Sequence, residues 1–195
     1  MRPPLPQVLP RCASSTSSTT QSASQNYAPL VLPKGFKIGH ANVRDLCSKN
    51  KKDDLKSIIL QHSFDIFGVT ETWLMTDMHN DDEFHIPGYQ IVRKDRPDVK
   101  KWKERGGGLL LYVKDTFDII ECKSTFTIPT EYLNVTINKQ YLPPINLTLL
   151  YRAPTAKKCF EKELENHLIQ CQSMESYLIG DFNLKPQPTS RPIIQ

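Results

Sequence analysis

Five polar residues stand at or just past the ends of apolar runs in this chain: Asn42, Glu71, Tyr151, Asp181 and Asn183. Carboxylates beside amides suit the coordination of a hard divalent cation or the orientation of a water and a phosphate oxygen. The clearest case is Tyr177-Leu-Ile-Gly-Asp-Phe-Asn183, a short apolar run that breaks at Gly180 and presents Asp181 and Asn183. Alternation along a strand puts residues two apart on one face. Extended geometry continuing past Gly180 would therefore turn this carboxylate and this amide the same way, at the carboxyl end of a strand, where open α/β sheets commonly bind ligands.

The elements that must position these residues can be read in order. Phe36–Val43 alternates as a strand and ends with Asn42 and Arg44 on one face. Asn50 is suited to cap a helix, with Asp53 and Asp54 near its start and Leu55, Ile58, Ile59 and His62 at helical spacing. Phe64–Thr70 reads as a second strand, so the default is a parallel β-α-β unit with a right-handed crossover. Ile86–Val92 is a turn into a third strand. Leu109–Val113 is a continuous apolar strand, buried on both faces. Further strands are expected over 117–122, 131–137, 145–151 and 176–181. Thr155 caps a helix carrying Phe160, Leu164 and Leu168. Gly106-Gly107-Gly108 reads as a tight bend; backbone N–H groups cradling a phosphate are the alternative. The loop over 93–105 holds seven Lys/Arg against three Asp/Glu, and Trp102 lies within it. Such a loop is either solvated or tracks a nucleic-acid backbone.

Composition bounds the rest. The chain has 195 residues, 38% hydrophobic and 24% charged, with a formal net charge of +4. That is one domain's length with enough chain to bury a core. Residues 1–34 are read as a disordered leader: four of the first ten residues are Pro, and nine of the eleven from Ser14 to Ser24 are Ser or Thr. Residues 35–184 are the folded domain and 185–195 a loose tail. The five cysteines lack any Cys-x-x-Cys spacing, which gives no sign of a zinc site and favours reduced thiols. No apolar run reaches the ~20 residues of a membrane helix. Without a secretion signal, the expectation is an intracellular protein, nuclear or cytoplasmic, with no membrane and no obligate protein partner. The sequons at Asn134 and Asn146 fall in expected strands and are discounted as glycan sites.

Taken in order, Asn42-Val-Arg-Asp-Leu46, Glu71-Thr-Trp-Leu74, Arg105-Gly-Gly-Gly108, Tyr151-Arg-Ala-Pro154 and Gly180-Asp-Phe-Asn183 resemble the endonuclease/exonuclease/phosphatase superfamily, most closely the endonuclease domain of non-LTR (LINE-like) retrotransposons. The resemblance implies an α+β fold, a two-sheet β-sandwich flanked by helices in the DNase I-like four-layer arrangement. It implies that Glu71 binds magnesium (manganese as the substitute ion) with Asn42 close by. Asp181 and Asn183 would orient the attacking water and the scissile phosphate, and Tyr151 would donate to a phosphate oxygen. The partner would be DNA, touched by Lys100, Lys101, Trp102, Lys103 and Arg105. One departure stands out: the family closes its site with a Ser-Asp-His element on a later strand, and no histidine follows Asp181 here. The expectation is thus a C-terminally truncated domain, incomplete in its second sheet and weak or inactive as a nuclease. The alternatives are a non-catalytic nucleic-acid-binding remnant and a phosphoesterase of small phosphoesters.

Overall fold

The computed structural model describes residues 35–95, 106–127, 130–138, 143–154, 159–171 and 174–184. The expected leader (1–34), the tail (185–195), the Thr155 cap and the basic cluster Lys100, Lys101, Trp102, Lys103 and Arg105 lie outside the described residues. Among the described residues, eight strands and two α-helices run in the order β1 (Ile38–Asn42), α1 (Lys49–His62), β2 (Ile66–Thr70), β3 (Tyr89–Lys94), β4 (Leu109–Lys114), β5 (Asp118–Thr127), β6 (Thr130–Asn138), β7 (Ile145–Arg152), α2 (Cys159–Gln170) and β8 (Glu175–Asp181), with a 3-10 turn at Asp81–Phe84. They form two four-stranded sheets, β1-β2-β4-β3 and β5-β6-β7-β8. β1 and β2 are parallel with α1 between them, as the β-α-β pattern requires, and β7 and β8 are parallel with α2 between them. The remaining pairings are antiparallel.

Strand alternation builds the core. Ile66, Leu109, Leu111 and Val113 of the first sheet face Leu133, Val135, Ile137, Leu147, Leu149 and Tyr151 of the second. The opposite face of the first sheet, through Phe67, Val69, Leu110 and Tyr112, packs on Leu55 and Ile59 of α1. α2 lies on the outer face of the second sheet, where His167 meets Thr148 and Tyr132. Helix, sheet, sheet and helix make four layers, the expected two-sheet α+β sandwich. β4 is buried on both faces because it sits between β2 and β3 and between two apolar layers.

Three local expectations change. α1 starts at Lys49 after Ser48, which is extended (φ −65°, ψ 127°), so Asn50 is inside the helix rather than its cap and the first turn holds no acidic residue. The chain has already turned at Arg44 and Asp45 (φ 43° and 78°) to bury Leu46 completely, and this sets the earlier start. Consequently Asn42 and Arg44 are not two residues of one extended strand. In α2 the inward face runs through Phe160, Leu164, His167 and Cys171, leaving Leu168 exposed.

That inward face meets polar residues. Asn134 and Asn146 exchange side-chain hydrogen bonds (2.7 and 3.1 Å), Asn134 also donates to Thr148 (2.7 Å), and Thr148 bonds His167 (2.7 Å). Both asparagines are buried, and these are the two sequon asparagines. The network satisfies groups that would otherwise be costly to bury.

Gly180 allows β8 to end as it does. It has φ +143°, and a Cβ there would stand 1.9 Å from the Leu150 carbonyl oxygen of the paired strand. Gly180→Ala should therefore cost about 3 kcal/mol or more, read as a lowered urea midpoint. Burial holds the His167 pKa below its ordinary value of 6.5. The unfolded chain then takes up that proton first, so the stability His167 contributes is present above pH 6.5 and is lost as pH falls towards the lower folded value. Urea unfolding at pH 7.5 and 5.5 should show a drop that His167→Gln reduces.

Candidate active site

Each sheet sends one inward-facing column to the same end of the sandwich. On β1 the column is Ile38, His40, Asn42; on β8 it is Tyr177, Ile179, Asp181. Asn42 and Asp181 thus meet across the two sheets although they are 139 residues apart in sequence. The Asn42 Nδ2 donates to Asp181 Oδ2 (2.6 Å) and to Glu71 Oε1 (3.0 Å). Two carboxylates thus converge on one amide nitrogen. Arg44 Nε stands 3.9 Å from Glu71 Oε2, with its side chain 76% exposed.

Glu71 is aimed by its backbone. It adopts φ 55°, and Trp73 φ 58°, conformations costing roughly 1–2 kcal/mol each outside glycine. Pinning from both sides offsets that cost. The Asp45 N–H donates to the Glu71 carbonyl (2.9 Å) and the Leu46 N–H to the Thr72 carbonyl (3.0 Å). On the other side the Thr72 and Trp73 N–H groups donate to the Gly108 and Gly107 carbonyls (3.2 and 3.0 Å). Thr72 and Leu74, both buried, anchor the alternate residues. The glycine run is thus a bend that clasps the Glu71 segment. The Gly108 N–H is itself committed to Glu131.

Asn183 follows a different rule from the one alternation suggests. β8 ends at Asp181, and Asn183 is left-handed (φ 44°), so a turn and not a strand places it. Its N–H donates to Asp181 Oδ1 (3.1 Å), its Nδ2 donates to the Arg152 carbonyl (2.8 Å), and Arg152 Nη1 donates to the Asn183 carbonyl (2.9 Å). Asn183 therefore braces Asp181 and ties the ends of β7 and β8. Tyr151 is the register partner of Asp181, but its ring is buried (4% exposed) in the inter-sheet core rather than half in water. Of the charged segment from 93, Arg93 is neither loop nor solvated. It lies in β3 and contacts Asp81 and Asp95 at 2.8 Å each.

Two residues at this end were not singled out by type. His40 sits one step below Asn42 and bonds Thr70 Oγ1 (3.2 Å). Burial lowers its pKa, and the Asp181 carboxylate partly opposes that shift. Glu131 faces inward beside Tyr151, its cross-strand partner. The visible signal for both was parity: each is a titratable residue on the buried face of an alternating strand.

The donor set fits a hard cation. Carboxylate and amide oxygens at a partly open cleft are the ligands magnesium and manganese accept. Among the described residues no cluster of three His, Cys, Asp or Glu side chains forms a metal cage. The site would thus offer a few protein oxygens and leave the other positions to water and substrate, the usual habit of magnesium.

With the fold and this cleft in view, the family follows. The sequence matches the Endonuclease/Exonuclease/phosphatase family over residues 36–194, and the chain belongs to that family. No curated protein matches it. Among solved structures it is similar to the AP endonuclease LMAP from Leishmania major (17% identity, TM-score 0.61, 76% of this chain and 55% of that one). It is also similar to the 3′ phosphatase NExo from Neisseria, bound to a product DNA hairpin (15%, 0.57, 78% and 60%). A third likeness is to the human Nocturnin catalytic domain (17%, 0.54, 78% and 65%). The chain spans 55 to 65% of the length of these structures.

Asn42→Asp tests the electrostatics of the bridge. A third carboxylate replaces the donor that both existing ones share. Melting in EDTA should fall by roughly 3 °C, and millimolar magnesium should restore more of it than magnesium adds to the wild type.

Proposed function

We propose that residues 36–184 form the metal- and phosphate-handling part of a DNA endonuclease of the non-LTR retrotransposon type, cutting one strand of duplex DNA by phosphodiester hydrolysis. The observation that carries this reading is the Asn42 amide shared by Glu71 and Asp181. Magnesium or manganese held by Glu71, with Asn42 beside it, would neutralise charge building on the phosphate oxygens. Asp181, braced by Asn42 and by the Asn183 N–H, orients the attacking water and accepts its proton. Water oxygen bonds to phosphorus as the opposite P–O bond breaks, and the departing sugar oxygen takes a proton from solvent water. Tyr151, whose ring is buried beside Asp181, would donate to a phosphate oxygen through its hydroxyl. Arg44, exposed beside Glu71, meets the DNA backbone together with Lys100, Lys101, Trp102, Lys103 and Arg105.

Neighbours that bear on substrate include an AP endonuclease, a 3′ phosphatase bound to DNA and a 2′,3′-cyclic phosphatase. All three cleave phosphoesters, which supports the reaction class.

The test is nicking of supercoiled plasmid with magnesium. Nicking that falls about 100-fold or more in Glu71→Ala and in Asp181→Ala is the expected outcome. Salt-sensitive DNA binding without nicking would replace this reading with a binding remnant. Release of phosphate from small esters without nicking would replace it with a phosphatase.

A further inference from the structure

Glu131 stands where its strand should be apolar. The inward face of β6 continues from it through Leu133, Val135 and Ile137, all in the core, and Glu131 itself is 1% exposed. Burying a carboxylate there is costly unless its hydrogen bonds are met. One of them is short and specific: the Gly108 N–H donates to Glu131 Oε2 at 2.6 Å. The position of Gly108 is in turn tightly set. A Cβ on it would stand 2.4 Å from Thr72 Oγ1, and its carbonyl receives the Thr72 N–H. The peptide that follows Glu71 is therefore held by the residue that Glu131 holds. Glu131 also shares a cross-strand row with Tyr151 and Asp181, so one layer of the second sheet supports both halves of the cleft.

We infer that Glu131 is a positioning residue for the candidate metal site: through Gly108 it fixes the strained Glu71–Trp73 backbone that aims Glu71 at Asp181. This rests on the reading of Glu71 as a metal ligand. The competing role is a buried ion pair, since Glu131 lies near Lys94, whose pKa is lowered by burial and raised in part by Glu131. The two roles separate because the link from Glu131 to the Glu71 segment runs through the Gly108 N–H and carbonyl, not through the Lys94 ammonium.

Free manganese, read by electron paramagnetic resonance, reports affinity without turnover. Glu71→Ala sets the baseline for loss of the site. Glu131→Ala should weaken manganese binding about 10-fold, the scale for groups that orient a ligand. Glu131→Gln, whose amide oxygen still accepts from Gly108, should retain most of the affinity. Lys94→Met should match the wild type even where its melting temperature falls. Equal manganese affinity in Glu131→Ala and wild type, with Glu71→Ala weak, overturns the positioning role and leaves the site intact. Manganese binding that ignores Glu71→Ala overturns the site reading and this inference with it. Should Glu131→Ala fail to fold, the remaining pair decides: Lys94→Met weaker than Glu131→Gln assigns the residue to the ion pair and ends the proposal.

Discussion

One amide group joins the two sheets at the end that matters. Asn42 belongs to the first sheet and Asp181 to the second, and Glu71 reaches the same nitrogen from the loop after β2. Without that donor, two carboxylates would face each other across a partly buried gap. Like charges at such a distance destabilise the compact state, so the Asn42 bridge is what lets acidic residues collect there. A cation held there would take over the same duty.

Around that bridge the fold spends conformational strain in a controlled way. Arg44, Asp45, Glu71, Trp73 and Asn183 are all left-handed, and all lie in the three segments that converge on the cleft. Regular strands end, the chain turns sharply, and a fully buried leucine follows two of the turns, Leu46 after Asp45 and Leu74 after Trp73. The apolar plugs fix where each turn sits, so the polar residues between them have little freedom. Rigid core below and strained loop above is the usual way to hold a reacting constellation in place.

Much of this was legible in the residues. Alternation and apolar runs located the eight strands, because a two-faced sheet leaves a period of two in the sequence. The β-α-β order gave the parallel first pair. The convergence of Asn42, Glu71 and Asp181 was legible only through motif order, since alternation says which face a side chain takes but not which strands become neighbours. Asn183 was misplaced by alternation because one left-handed residue ends the rule. The α1 cap was misplaced because tertiary demand, the burial of Leu46, outweighed the local preference of Asn50. Glu131 could have been noticed as an acid on a buried parity; its partner could not, because Gly108 reaches it from 23 residues away.

The asparagine pair under α2 carries a consequence of a different kind. Asn134 and Asn146 each sit in an acceptor tripeptide, yet their side-chain nitrogens are spent donating to one another's amide oxygens and to Thr148 and Thr136. A sugar attached to either would have to occupy the space where the helix lies. Were this chain ever routed through a compartment that decorates nascent polypeptides, modification would compete with closure of the outer layer. The same two amides that knit the second sheet to its helix would be the ones contested.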